Sequence, residues 1–131
     1  MDLNLNVLRL ASGLATYAAR RQALIAENVA NADTPGFRAR DLPDFAAVLD
    51  QAAPPFTART TRAGHIPFGA EAGLGAEPRP DAVEGADTPN GNSVSIEDQM
   101  TRAAGIRQSH DLAMGVYAKT LDVLRASIGV K

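Results

Sequence analysis

Residues 28–42 read Asn28-Val29-Ala30-Asn31-Ala32-Asp33-Thr34-Pro35-Gly36-Phe37-Arg38-Ala39-Arg40-Asp41-Leu42, and the reading of the whole chain turns on this run. Upstream of it there is no proline, and Ala and Leu are abundant. Both residues lose little freedom on entering a helix, so residues 1–33 read as one long helix. The run itself stops that helix. Pro35 drives Thr34 out of the α region, and Pro35-Gly36 suits the centre of a type II turn, whose third position needs a positive φ.

Working outward, the apolar residues Leu3, Val7, Leu10, Leu14, Tyr17 and Leu24 step alternately by four and three, with Arg21 and Asn28 completing the seam. That is the rhythm of a coiled-coil stripe. The far end of the chain repeats it at Ile96, Met100, Ala103, Arg107, His110, Met114, Tyr117, Leu121, Leu124 and Ile128. Ser95 stands where an N-cap belongs, with Asp98 three residues on. Glu97 and Asp98 suit the positive end of the helix dipole, and Lys119, Arg125 and Lys131 the negative end. Residues 51–92 differ in kind, holding six Pro and six Gly with little alternation. They read as extended loop with at most a short β-hairpin near residues 56–68. Asp-Thr-Pro occurs at 33–35 and again at 87–89, read as two ordinary turns.

The expected fold is therefore mainly α. Long N- and C-terminal helices pair antiparallel as a coiled-coil-like layer, joined by a Pro/Gly-rich extended loop. The expected organisation is an N-terminal helix over 1–33, a turn and extended insert over 34–92, and a C-terminal helix over 93–131. Leu5, Leu8, Ile25, Val29, Ile106, Leu112, Val116 and Val123 fall off the seam and form a second apolar stripe. A lone helix pair cannot cover two stripes, so the pattern implies burial in an oligomer or filament.

Composition narrows the function. The chain has 131 residues, a net charge of −2 and 45% apolar residues, but 25 of these are alanine. Basic residues are scattered rather than clustered, which argues against nucleic acid as a partner. Cysteine is absent, which excludes disulfides, thiolate metal sites and a cysteine nucleophile. His65 and His110 have no second histidine or carboxylate at metal-ligand spacing, and no phosphate-binding or nucleophile motif is present. The glycine-rich stretch 69–75 has neither a lysine nor a preceding strand. No enzyme activity, cofactor, metal or small-molecule substrate is expected. The first residues carry no basic or continuous apolar segment, so no secretory signal peptide or membrane span is expected either.

Asn28 and Asn31 admit two readings. They satisfy loose backbone groups at a helix end, or they specify register between neighbouring helices as buried asparagines do in coiled coils. The full run through Leu42 closely resembles the N-terminal signature of the bacterial flagellar rod and hook proteins: Asn-(Ile/Val/Leu)-Ala-Asn, a Thr-Pro-Gly turn, then an aromatic-basic pair. Ala39-Arg40-Asp41-Leu42 and Asn90-Gly91-Asn92-Ser93-Val94 are most like the proximal-rod members. Phe37 and Arg38 stand where many relatives have Tyr and Lys, His110 where they often have Tyr, and Tyr117 where they often have Leu.

The resemblance implies a structural subunit of the flagellar basal-body rod. Such a subunit polymerises through its terminal helices into the periplasmic tube that transmits torque and forms the export channel. Implied partners are copies of itself, other rod proteins, an adaptor at the membrane ring and export gate, and the flagellar type III export apparatus, with export needing no cleaved signal. It also implies an assembly motif at Asn28, Asn31, Thr34, Pro35, Gly36, Phe37 and Arg38, where the turn leaves the inner layer and Phe37 anchors it. The alternative is a soluble helical adaptor or export chaperone acting as a small oligomer.

Overall fold

The computed structural model describes residues 2–51, 78–80 and 89–129. Helix α1 spans Asp2–Ala30 and is followed by strand β1, Arg40–Asp41, and a short helix α2, Phe45–Gln51. Strand β2, Arg79–Pro80, precedes the long helix α3, Ile96–Ser127. At 1.5 Å per residue α1 and α3 are about 43 and 48 Å long. They pack against each other antiparallel: Ala18 and Ile25 of α1 form one cluster with Ile106 and Ala103 of α3, and Asn28 meets Gln99. No helix among the described residues is long and apolar enough to cross a membrane.

Helix α3 begins as its sequence dictates. The Ser95 side chain, on extended backbone, accepts the Asp98 N–H at 3.4 Å, and Glu97 and Asp98 occupy the first turn. At the other end Gly129 takes φ 75°, the left-handed conformation that closes helices, and its N–H bonds Ala126.

The contact between the helices follows the expected rhythm on a displaced line. In α1 the buried and half-buried positions include Ala11, Leu14, Ala18, Arg21, Ile25 and Asn28, with Tyr17 and Leu24 alongside. In α3 they include Gln99, Ala103, Ile106, His110, Ala113 and Tyr117, with Leu121 and Leu124 half-buried further on. Of the expected seam, Val7 and Leu14 are half-buried, whereas Leu10, Ile96, Met100, Met114 and Ile128 are exposed. The side chain of Leu3 lies outside the described residues. The displacement has a steric cause. Two helices approach closely where side chains are small, so Ala11, Ala18 and Ala113 occupy the contact and the larger neighbours at 10 and 114 turn outward.

Two features of the middle were not expected. Loop was expected throughout 34–92, but α2 forms there because Phe45 has an apolar surface to cover. Its ring centroid lies 5.3 Å from that of Tyr17, whose hydroxyl donates to the Pro43 carbonyl. The strand pairing is a two-residue antiparallel contact, Arg40 opposite Pro80 and Asp41 opposite Arg79. The hairpin expected at 56–68, His65, the glycine-rich stretch 69–75, and Asp87 and Thr88 of the second Asp-Thr-Pro lie outside the described residues. A Cβ at Gly105 or Gly115 would meet nothing within 4 Å among the described residues, so no described neighbour uses their small size.

Ile106→Ala should cost about 2–3 kcal/mol, because it empties a buried site, while Ile96→Ala, half exposed, should change stability by less than ~0.5 kcal/mol. At Gly13 a Cβ would meet only the Phe45 ring, at an ordinary 3.9 Å. Gly13→Ala should therefore stabilise α1 by about 1 kcal/mol. Urea titration of the purified chain, followed by circular dichroism, measures all three.

Candidate assembly site at the helix turn

The Thr-Pro-Gly run makes the turn its sequence calls for. The Phe37 N–H bonds the Thr34 carbonyl at 3.2 Å, and Gly36 has φ 72°. A second glycine turn docks onto it. Gly91, φ 78°, would place a Cβ 3.6 Å from the Gly36 Cα, and the Gly36 N–H bonds the Asn90 carbonyl at 3.0 Å. Past the turn, the Ser93 N–H bonds the Phe37 carbonyl and the Ser93 hydroxyl accepts the Ala39 N–H. The segments before and after the insert are thus laced together, and residues 37–44 become a strap lying along the helix pair.

Asparagine side chains hold this strap in place. Asn28, 1% exposed, donates to the Arg40 carbonyl at 2.8 Å and accepts the Arg40 N–H at 3.0 Å. It also donates to Gln99 Oε1 across the helix contact at 3.0 Å. Asn92, equally buried, donates to the carbonyls of Asn31 and Thr34 and accepts the Val94 N–H. It satisfies acceptors left open where α1 ends. Asn31 donates to the Glu27 carbonyl of its own helix and accepts the Thr34 hydroxyl. The two readings of the asparagines thus divide between residues. Asn31 satisfies its own helix end, and Asn28 bonds both the strap backbone and the neighbouring helix.

The strap in turn delivers Asp41 between the helices. Its carboxylate receives Arg21 Nε at 2.7 Å and Nη2 at 2.6 Å from α1, Arg102 Nη1 at 3.0 Å from α3, and the Leu42 N–H at 2.7 Å. Asp44 lies 3.3 Å from Arg21 on the open side. Asp98 Oδ2 sits 2.8 Å from Arg102 Nε but off the line of its hydrogen, an ion pair without hydrogen-bond geometry. Burial alone would raise the Asp41 pKa, but the hydrogen-bonded Arg21 guanidinium, the Leu42 N–H and Arg102 outweigh it and hold it below the usual carboxylate value. The same Asp41 hydrogen bond raises Arg21, and burial pushes the Tyr17 phenol up.

Of the motif residues named from the sequence, the structure therefore joins Asn28, Asn31, Thr34, Pro35, Gly36 and Phe37 in one network. Phe37 is half-buried and Arg38 exposed. Sequence reasoning quoted Asp41 and Asn92 only within the runs that carry the resemblance, without a role, and did not single out Gln99 or Arg102. The available signal was the pair of polar residues at Arg21 and Asn28 inside an apolar stripe, which require buried partners somewhere in the chain. Among the described residues, no three His, Asp or Glu side chains converge as metal ligands.

Two outcomes follow from this network. Asp41→Asn leaves two guanidiniums without their shared anion. The loss should be about 2 kcal/mol at neutral pH, less than the roughly 3–5 kcal/mol of a fully buried pair, since both arginine side chains are about a quarter exposed. Because the folded pKa lies below the unfolded one, the wild-type stabilisation is complete above the unfolded value and drains as pH falls through the folded one. Melting curves from neutral to strongly acidic pH should fall less steeply for Asp41→Asn. A Cβ at Gly36 would meet no atom within 4 Å, but Gly36→Val forces a β-branched residue into the left-handed region, costing about 1–2 kcal/mol in the same melts.

Comparison with known proteins places this geometry in a family. Residues 8–38, which include the Asn28–Arg38 motif, match the family model described as flagella basal body rod protein. The flagellar basal body rod protein FlgB of Agrobacterium fabrum is 29% identical over 117 residues, spanning 82% of this chain and 81% of the relative. FlgB of Cereibacter sphaeroides is 34% identical over 94 residues, spanning 72% and 73%. FlgB of Proteus mirabilis is 67% identical over 30 residues, 23% of this chain and 21% of its own. With the Thr34–Phe37 turn lying inside the matched segment and similarity extending over most of both chains, the protein belongs to the FlgB family of flagellar basal body rod proteins.

Proposed function

We propose that this chain is a polymerising subunit of the flagellar rod, built into the periplasmic tube through α1 and α3. The observation that carries this reading is where the large apolar side chains lie. Among the described residues, the buried apolar set contains only Tyr17, Ile25, Leu42, Val94 and Ile106 beyond alanine, whereas ten large apolar residues are exposed, six of them on α3 and a seventh, Ile128, just past its end. A helix that is apolar on several sides belongs inside a larger body. The expected seam residues Leu10, Ile96, Met100, Met114 and Ile128, exposed in the single chain, would then lie between subunits.

In this reading the tube carries torque by stiffness and encloses the export channel. The strap network fixes the direction in which the insert leaves the helix layer, so that Phe37 and Arg38 meet adjacent subunits. Partners are copies of the chain, other rod components, an adaptor at the rod base and the type III export apparatus, which delivers the subunit without a cleaved signal. A core of alanines and amides suits a chain that crosses a narrow channel unfolded and folds on arrival.

The direct test is mass spectrometry of detergent-extracted basal bodies. The chain should co-purify with ring and rod, and its recovery only from the soluble cytoplasm of flagellated cells would favour the adaptor alternative. Met114→Asp, on an exposed position, should preserve helix content in the purified chain and abolish swimming in soft agar. Normal swimming would remove Met114 from the subunit contacts.

A further inference from the structure

The turn at Asn90-Gly91 carries a chemistry that its structural role does not use. The chain has six asparagines, and Asn90 alone is followed by glycine. The others precede Leu5, Val7, Val29, Ala32 and Ser93. The backbone nitrogen after an asparagine can attack that asparagine's side-chain carbonyl carbon, and a side chain on the following residue obstructs the approach. Glycine has no Cβ to obstruct it. Asn90 is also exposed, so water and hydroxide reach it.

The Gly91 nitrogen gives up its proton and bonds to Asn90 Cγ. The bond from Cγ to Nδ2 breaks, and the side-chain nitrogen leaves as ammonia. Water then opens the resulting succinimide at either carbonyl. One opening gives aspartate at position 90. The other gives isoaspartate, in which the main chain runs through the former side chain. Water is the only co-reactant.

The folded turn opposes the first step. The Asn90 carbonyl accepts the Gly36 N–H at 3.0 Å, which holds the plane of the peptide joining Asn90 to Gly91. Asn90 Oδ1 accepts the Asn92 N–H at 3.1 Å, which holds the side chain. Gly91 sits at φ 78° so close to Gly36 that a Cβ on it would stand 3.6 Å from the Gly36 Cα. Asn92 is anchored in turn on the carbonyls of Asn31 and Thr34. Ring closure uses rotation about the Cα–C and Cα–Cβ bonds of Asn90, and these contacts restrain both.

We propose that Asn90 is a deamidation site gated by folding: it reacts in the unfolded chain, and the closed turn protects it. The two products differ in consequence. Aspartate keeps the main chain intact and retains Oδ1 for the Asn92 N–H. Isoaspartate lengthens the main chain by one carbon and exchanges the places of the two carbonyls. The Gly36 and Asn92 N–H groups then no longer find their acceptors together, and the segments before and after the insert do not lace. Asn90 thus acts as a timer on the chain before it folds.

The test incubates the purified full-length chain at mildly alkaline pH, in buffer and in concentrated urea. Peptide mapping by mass spectrometry follows each asparagine, and isoaspartyl methyltransferase reads the isomer. In urea Asn90 should react first. In buffer it should react at least about tenfold more slowly, because reaction then waits on local opening of the turn. Asn92→Ala, which removes the anchor, should raise the rate in buffer and leave the rate in urea unchanged. Ile106→Ala, which weakens the helix contact away from the turn, should alter neither. Refolded after ageing in urea, isoaspartate chains should melt below fresh ones, whereas Asn90→Asp should melt with the wild type.

Equal rates at Asn90 in buffer and urea would overturn the gate, and so would an Asn90 that stays intact in urea. Faster reaction of Ile106→Ala in buffer would overturn protection by the turn in favour of protection by the whole fold. An Asn90→Asp chain that melts as low as the isoaspartate form would overturn the distinction between the products.

Discussion

The fold depends on one buried amide. Asn28 meets the Arg40 backbone as a strand neighbour would, donating to the C=O and accepting the N–H, and its donor group also reaches Gln99 on α3. One side chain thus sets the position of the strap and the register of the helices together. Sliding α3 by a single residue would part the amides, and a buried polar group without a partner costs more than the bond itself yields. Once Arg40 is placed, Asp41 falls between Arg21 and Arg102, and the charged cluster closes across both helices. Apolar contacts between Ala18, Ile25 and Ile106 could tolerate small shifts; the amides and the guanidinium fork do not.

The two helices, their order and their antiparallel pairing could be read from periodicity, because Ala-rich heptads without proline leave few other structures open. The turn was legible for a similar reason, since Pro35-Gly36 restricts the backbone before any packing is considered. The inner contact line was harder. Periodicity weights large apolar residues, while the helices touch along Ala11, Ala18 and Ala113 and along the amide of Gln99. A polar side chain in a seam gives no hydrophobic signal, so a stripe counted on leucines and methionines drifts to the flank. The partners of Arg21 and Asn28 were hidden by distance in sequence: Asp41 lies in what reads as loop, and Gln99 and Arg102 in the opposite helix. Helix α2 is too short for periodicity and exists because Phe45 finds Tyr17.

The division of labour between side chains bears on how such a subunit is built. Polar groups specify the single chain, and the large apolar groups on α3 are left facing outward. Internal geometry is thereby set by polar groups, and the outward apolar surfaces are ones that the internal fold does not consume. Family membership as a rod protein accords with this arrangement, in which the single chain is one part of a larger structure.

Among the described residues, the largest fully buried side chains are Gln99, Asn28 and Asn92, all amides. Exposure of polar surface lowers the heat capacity, whereas exposure of apolar surface raises it. Unfolding of the single chain therefore carries a small heat-capacity change for its length, and its stability curve is shallow across temperature. Covering Leu112, Val116 and Met114 in an assembly removes apolar surface from water and changes heat capacity much more strongly. Temperature consequently acts on the two levels of structure unequally. In the proposed assembly, cooling would weaken the apolar contacts between subunits well before it loosens the amide-locked pair of helices within each one.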